Sequence, residues 1–174
     1  MAEKAPVGGS TELRRFDDDG RIPNNPKLPL VVYRLALAPS EHLAKDFEKR
    51  FAENGWTNSW RNGIFDYHHY HSNTHEVLGV AQGEARVCFG GKAGDVLALR
   101  AGDVAILPAG TGHKRESASD DFLVVGAYPD GRDYDICRAD PAEHDRALVR
   151  IAAVPLPKKD PVFGRSGVIV WQEP

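Results

Sequence analysis

The chain predicts an all-β fold, a sandwich or barrel of antiparallel strands. Three observations carry this reading. Six short β-rich runs lie between Ile64 and Tyr128: "IFDYHHYH", "EVLGVA", "ARVCFGG", "DVLALR", "DVAILPAG" and "FLVVGAY". Turn-forming breaks separate them, among them "QGE", "KAG", "AGD" and "SASDD". No segment between them is long enough for the helical crossover that a parallel sheet requires.

The flanks follow from local chemistry. Residues 1–29 are rich in Gly, Pro, Asn and charge and read as an N-terminal arm, with "RIPNNPKLP" as a turn-rich lead-in to a single domain over 30–174. "LVVYRLAL" at 30–37 has strand composition. In "PSEHLAKDFEKRFAENG", Ser40 can cap a helix and Gly55 can end it. Leu43, Phe47 and Phe51 repeat every four residues as one apolar stripe, opposite Glu41, Lys45 and Glu48. His42 falls in the first turn as a solvated residue. "DPAEHDRALVRIAAV" predicts a second helix, with Asp140 as N-cap, Pro141 at the first position and Glu143 completing a capping box. Leu148 and Ile151 would form its apolar stripe, and His144 would be exposed. The helix and the extension after it fill 140–174, with a candidate strand at 167–171.

Composition narrows the function. The 174 residues carry a formal net charge of −3, which points away from nucleic acid and anionic membranes. No apolar run approaches the roughly 20 residues that span a bilayer. The opening "MAEKAPVGGSTELRRFDDDG" lacks an apolar secretory core, so a cytoplasmic location is expected. Cys88 and Cys137 form no CxxC and are expected as reduced thiols. "GGKAGDVLALRAGD" lacks the Lys-Ser/Thr ending of a phosphate loop, and no Gly-x-Ser-x-Gly is present.

The chemistry concentrates in "GIFDYHHYHSNTHE" at 63–76, where four histidines and a glutamate fall close together. If "IFDYHHYH" is a strand, Phe65, Tyr67, His69 and His71 share one face, and Asp66, His68 and Tyr70 share the other. His69 and His71 then stand roughly 7 Å apart at Cα, near enough to converge on one ion. The short "SNTHE" can return Glu76 beside them. Two imidazoles and a carboxylate suit a divalent ion of the Fe, Mn, Ni, Co or Zn series. His113, after the Pro/Gly loop of "GDVAILPAGTGHKRE", is the candidate fourth donor.

These residues carry a resemblance. Gly63-x5-His69-x-His71-x4-Glu76-x6-Gly83 and Gly102-x5-Pro108-x-Gly110-x2-His113-x3-Ser117 resemble the two motifs of the cupin superfamily. Nine positions match over about 55 residues, 63–117. The second motif usually closes with Asn where Ser117 stands, and that Asn is not a metal ligand in the family. "HYHSNTHEVLGVAQGEARVCFGG", "GDVAILPAGTGHK", "FLVVGAYPDG" and "DPVFG" are similar to small bacterial single-domain cupins of the YjlB-like group. The resemblance implies a cupin (RmlC-like) antiparallel jelly-roll barrel of six to eight strands. It also implies one divalent cation on His69, His71, Glu76 and His113, with two positions left open for water, dioxygen or a chelating small molecule.

Neighbouring residues are read against plainer roles. His75 is the alternative ligand to Glu76, but strand alternation turns it away, which favours a supporting or surface position. His68 has the same parity problem, and a contact with the helix at 40–54 or with a second subunit is expected. Phe65, Tyr67 and Leu78 are candidates to line the pocket, with Tyr67 able to donate its hydroxyl. Val80 should join Leu78 in an apolar wall. Arg86, Lys92 and Arg100 read as solvated, Cys88 as buried and inert, and Trp56, Trp60 and Trp171 as packing residues.

Three functions follow from this reading. The first is a metal-dependent enzyme on a small molecule, dioxygenase-like with Fe or isomerase- or lyase-like with Zn, Mn or Ni. The second is a small-ligand-binding or sensing module without turnover. The third is a metal-free sugar-nucleotide epimerase with a histidine base, which the full donor set argues against. A homodimer is expected, paired through edge strands and terminal extensions.

Overall fold

The structure is a computed structural model and describes residues 9–165 and Trp171. In chain order its elements are β1 (Thr11–Arg14), β2 (Leu30–Tyr33), α1 (Leu43–Glu53), β3 (Trp56–Asn62), β4 (His69–Tyr70), β5 (Glu76–Gln82), β6 (Glu84–Phe89), β7 (Asp95–Arg100), β8 (Val104–Leu107), β9 (His113–Ala118), β10 (Leu123–Pro129), β11 (Cys137–Arg138) and α2 (Pro141–Ala153). The strands form a six-stranded sheet, β1-β2-β8-β5-β10-β3, and a five-stranded sheet, β11-β4-β9-β6-β7. Every pairing among them is antiparallel, as a jelly roll requires.

Alternation within the strands explains the layers. Leu30, Val32, Leu78, Val80, Ala105, Leu107 and Val124 of the six-stranded sheet pack against Val87, Phe89, Leu97 and Leu99 of the five-stranded one. The intervening residues Val31, Tyr33, Val77, Val104, Ile106, Val125 and Ala127 point the other way. They are covered by Leu43, Phe47 and Phe51, the stripe that the sequence places on α1. The inner strands of the six-stranded sheet are therefore buried on both faces, which is why β2 and β8 are apolar without a break. Phe47 and Phe51 are fully buried and stacked at 5.4 Å. Truncating either to Ala would cost about 3–5 kcal/mol.

Several local expectations are corrected. The presumed arm is partly built into the sheet: β1 pairs with β2, and Ile22 and Asn24 are buried. The strand at 30–37 ends at Tyr33, because Leu35 takes a positive φ of 49° and Asp103 binds its N–H. Ser40 holds the turn N–H of His42, so α1 begins later, after an exposed His42 without a side-chain cap. In 63–71 only His69 and Tyr70 are in a strand. The segment before them runs along the barrel rim, tied by the Arg115 N–H to the Phe65 carbonyl.

Asp140 does cap α2 through the Ala142 N–H, but Glu143 turns to Arg146 and Arg150 and does not close the box. The buried stripe is Ala147 and Ile151, while Leu148 is exposed. His144 is half-buried against Asp18. Burial lowers the pKa of His68, with Lys114 adding to the effect. The candidate strand at 167–171 lies outside the described residues except for Trp171, which is buried and bonds the Pro29 carbonyl.

Candidate metal centre

Both sheets contribute to one cluster between them. His69 opens β4 and pairs directly with His113, which opens β9. His71 follows β4, its carbonyl held by the Gly110 N–H at 2.8 Å. Gly110 has φ +95°, and a Cβ there would meet the Asn24 carbonyl at 2.5 Å, so the loop before His113 needs glycine. Glu76 opens β5 on the opposite sheet. It shares the inward parity of Leu78 and Val80, so it faces the histidines across the gap.

His69, His71 and His113 are buried, and their ligand nitrogens lie within 4.8 Å of one another. Each ring's Nδ1 sits on a backbone carbonyl: His69 on Tyr67 at 3.0 Å, His71 on Asp135 at 2.5 Å, and His113 on Thr111 at 3.1 Å. A carbonyl only accepts, so each Nδ1 carries the proton and each Nε2 is left with a lone pair. Three lone pairs thus converge in a buried space. This is the tautomer that metal-bound imidazoles adopt, fixed by partners on the far nitrogen.

Glu76 lies beside the three histidines. One oxygen lies 3.2 Å from His71 Nε2 and the other 3.4 Å from His113 Nε2. The second contact lacks hydrogen-bond alignment, and Glu76 Oε1 is buried without a hydrogen-bond partner among the described residues. Among the described residues, no hydrogen bond or ion pair joins Glu76 to His69. Without a proton or a cation, the carboxylate and His71 Nε2 would face each other as two acceptors. The donor set, the orphaned oxygen and the fixed tautomers all fit a divalent ion of the Fe, Mn, Ni, Co or Zn series.

Electrostatics agrees. Burial, aided by the neighbouring His113 ring, pushes His69 down to about 2, so it stays neutral. Burial opposes charge on His71 too, but the adjacent Glu76 carboxylate leaves its pKa above the ordinary 6.5. Burial would raise Glu76, yet His71 and His113 outweigh it and hold the carboxyl well below its usual range.

The cluster floors a cavity of about 370 Å³, at the small end of the roughly 300–1,000 Å³ typical of ligand pockets. Trp60, Ile64, Phe65, Leu78, Tyr128, Tyr134 and Ile136 supply its apolar and aromatic walls, and Asn62, Asp66 and Arg115 its remaining polar side chains. Phe65 and Leu78 therefore line the cavity as the sequence suggests. Tyr67 does not: its ring lies between Phe65, stacked at 5.0 Å, and the Arg138 guanidinium, 3.8 Å above it. His75 is buried away from the cluster. Its Nδ1 accepts the Ala109 N–H at 2.9 Å, its Nε2 meets the Pro155 carbonyl at 3.2 Å, and Trp171 packs on its ring. It braces the loop that leads to His113.

Sequence reasoning missed Tyr128. Its hydroxyl receives the Trp60 indole N–H at 2.8 Å and so gives its own proton to Glu76 Oε2 at 2.9 Å. Trp60 can reach it because Gly126 is bare: a Cβ there would lie 2.2 Å from the indole. Asp135 was missed as well. Its carbonyl orients His71 while its carboxylate binds the Ser72 N–H and hydroxyl, and Arg150 of α2 donates to that hydroxyl.

A cupin-domain family model matches residues 62–125, the span that holds His69, His71, Glu76 and His113. Among solved structures, the DMSP lyases RdDddP and RnDddQII match at 17% identity and TM-score 0.37, over 64% of this chain and 44% of theirs. The oxalate decarboxylase of Bacillus subtilis, described with Mn(II) centres, matches at 18% identity and TM-score 0.35, over 79% of this chain and 30% of its own. A much nearer relative is a Bacillus subtilis (strain 168) protein described as uncharacterized protein YjlB. It is 47% identical over 155 residues, which are 89% of this chain and 92% of that one. With near-full-length identity at that level, the chain belongs to the cupin family, among the YjlB-like proteins.

Proposed function

We propose that the chain holds one divalent transition metal on His69, His71, His113 and Glu76 and uses it to transform a small molecule in the adjoining cavity. The observation that carries this is the set of three Nδ1-to-carbonyl bonds, which leave three buried Nε2 lone pairs facing one point. A bound Fe, Mn, Ni, Co or Zn ion supplies Lewis acidity there, and the redox-active members suit dioxygenase-like chemistry. The protein's own part is positioning. The carbonyls of Tyr67, Asp135 and Thr111 orient the rings, and Tyr128 holds one carboxylate oxygen so that the other is free. Leu78, Ile64 and Phe65 exclude water and would bear on the ligand's apolar body.

The test is metal analysis on protein purified without a His-tag, followed by chelation and reloading. About one first-row ion per chain is expected, with occupancy lost in His71→Ala, as for a site that needs all its donors. Protein that holds no such ion and takes none up would sink the proposal. A candidate ligand that raises the melting temperature but is recovered unchanged under turnover conditions would favour a binding or sensing module.

We also propose a cytoplasmic homodimer joined through sheet edges. Leu13 on edge strand β1 and Val96 on edge strand β7 are both exposed, and the Arg14–Asp95 ion pair brings those two edges together. Light scattering after size exclusion decides this, and a monomer mass would reject it.

A further inference from the structure

We propose that the ligand of this cavity is a small carboxylate with a flat apolar body, and that Arg115 is the residue that selects it. The inference rests on the metal reading above and adds a substrate class to it.

Among the described residues, Arg115 is the one Lys or Arg that lines the cavity. Its direction is set by the sheet. On β9, His113 pairs with Phe89 and Arg115 with Val87, and both partners are inward residues of the core between the sheets. Arg115 therefore leans to the same side as His113. It stands one strand repeat further along, roughly 7 Å away at Cα.

The guanidinium is poorly committed. Among the described residues its side chain has a single polar partner, Asp66 at 3.9 Å, and the two side chains are 39% and 72% exposed. Five N–H donors on a planar fork with one loose partner are suited to a carboxylate that can take two of them at once.

Charge balance points the same way. Three neutral imidazoles, one carboxylate and a divalent ion sum to +1 at the floor, and Arg115 adds a second positive charge. Among the described residues Asp66 is the only acid lining the cavity besides Glu76, and at its exposure it is largely screened by water. An anion is thus favoured over a neutral molecule of the same shape.

The walls describe the rest of the ligand. Tyr128 and Tyr134 stack on each other at 4.7 Å and 19°, and Phe65 and Trp60 also face the cavity. Such surfaces accept a planar body edge-on or by offset stacking. A ligand that chelates the floor while its carboxylate reaches the rim would span both positive groups.

Two probes differing only in the carboxylate test this: catechol and 3,4-dihydroxybenzoate. Each would be titrated anaerobically by calorimetry into Zn-loaded protein, with metal content measured on the same samples. The wild-type protein should bind 3,4-dihydroxybenzoate at least tenfold more tightly than catechol. Arg115→Gln should lose that preference while keeping its metal, its melting temperature and its affinity for catechol. Arg115→Lys should retain only part of it, since an ammonium keeps the charge without the fork. Equal affinities in the wild type, a preference that survives in Arg115→Gln, or a metal-loaded protein that binds neither probe would each overturn the proposal. Failure of the metal reading would show separately, as protein that cannot be loaded.

Discussion

Removing one oxygen atom, in Tyr128→Phe, tests how the centre is held. The hydroxyl takes the Trp60 N–H at 2.8 Å and gives its proton to Glu76 at 2.9 Å. Tyr128 and Glu76 are both buried, at 1% and 2% exposure, so water cannot easily replace the lost group. A hydrogen bond to a charged acceptor contributes about 1.5–3 kcal/mol and one between neutral partners about 1 kcal/mol. The sum is about 2.5–4 kcal/mol of destabilisation, with the ring and its stack on Tyr134 preserved. For a chain of this length each kcal/mol moves the midpoint roughly 2–4 °C, so Tm should fall by roughly 5–15 °C. Loss of a group that orients a ligand typically weakens metal binding by about 10–100-fold. The assays are urea denaturation of the apo protein and competitive Zn titration against a chromophoric chelator. A variant matching the wild type in both would refute the assignment of Tyr128 as the group that aims Glu76.

Gly110→Ala should destabilise by about 1–3 kcal/mol, because φ is +95° and the added methyl would meet the Asn24 carbonyl and the Ile151 side chain. Thermal melting checks it, and an unchanged Tm would contradict the claimed geometry of the His113 loop. Cys88 and Cys137 are buried free thiols whose pKa values burial pushes up, so neither should react with a thiol reagent until the protein is unfolded. Fast modification of either in the native state would reject that environment. Metal affinity should fall as pH falls. His69, at about 2, is already neutral, whereas His71 sits above 6.5, so below that folded pKa one bound proton must leave for each ion taken up. The loss should approach tenfold per pH unit, read by titration at several pH values. In the metal-free protein the sign reverses. The raised His71 pKa contributes stability that is fully present below 6.5 and lost as pH rises through the folded value.

The legible part of this molecule is the part written at fixed spacing. Alternation placed His69 and His71 on one side, a short turn returned Glu76, and a Pro/Gly loop delivered His113 to a neighbouring strand. The stripe of Leu43, Phe47 and Phe51 gave α1 in the same way. What stayed hidden depends on pairings distant in sequence. Trp60 lies in "WTNSWRN", a polar edge strand with no apolar alternation, and its role appears only when Gly126 comes to lie beneath it. Tyr128 follows a register shift in β10, so its direction cannot be counted from the strand alone. Asp135 acts on His71 through its backbone carbonyl, which any residue could supply. Tyr67 shared the right parity, yet Arg138, brought in by β11, covers its ring, and Tyr67 is not among the residues that line the cavity.

The most direct test is a crystal grown with Mn²⁺ and measured for anomalous scattering. The account predicts one strong peak among the Nε2 atoms of His69, His71 and His113 and a Glu76 oxygen, at bonding distances of roughly 2.0–2.3 Å. Those four side chains surrounding no ion in Mn²⁺-soaked crystals, or a peak bound only elsewhere, would contradict it.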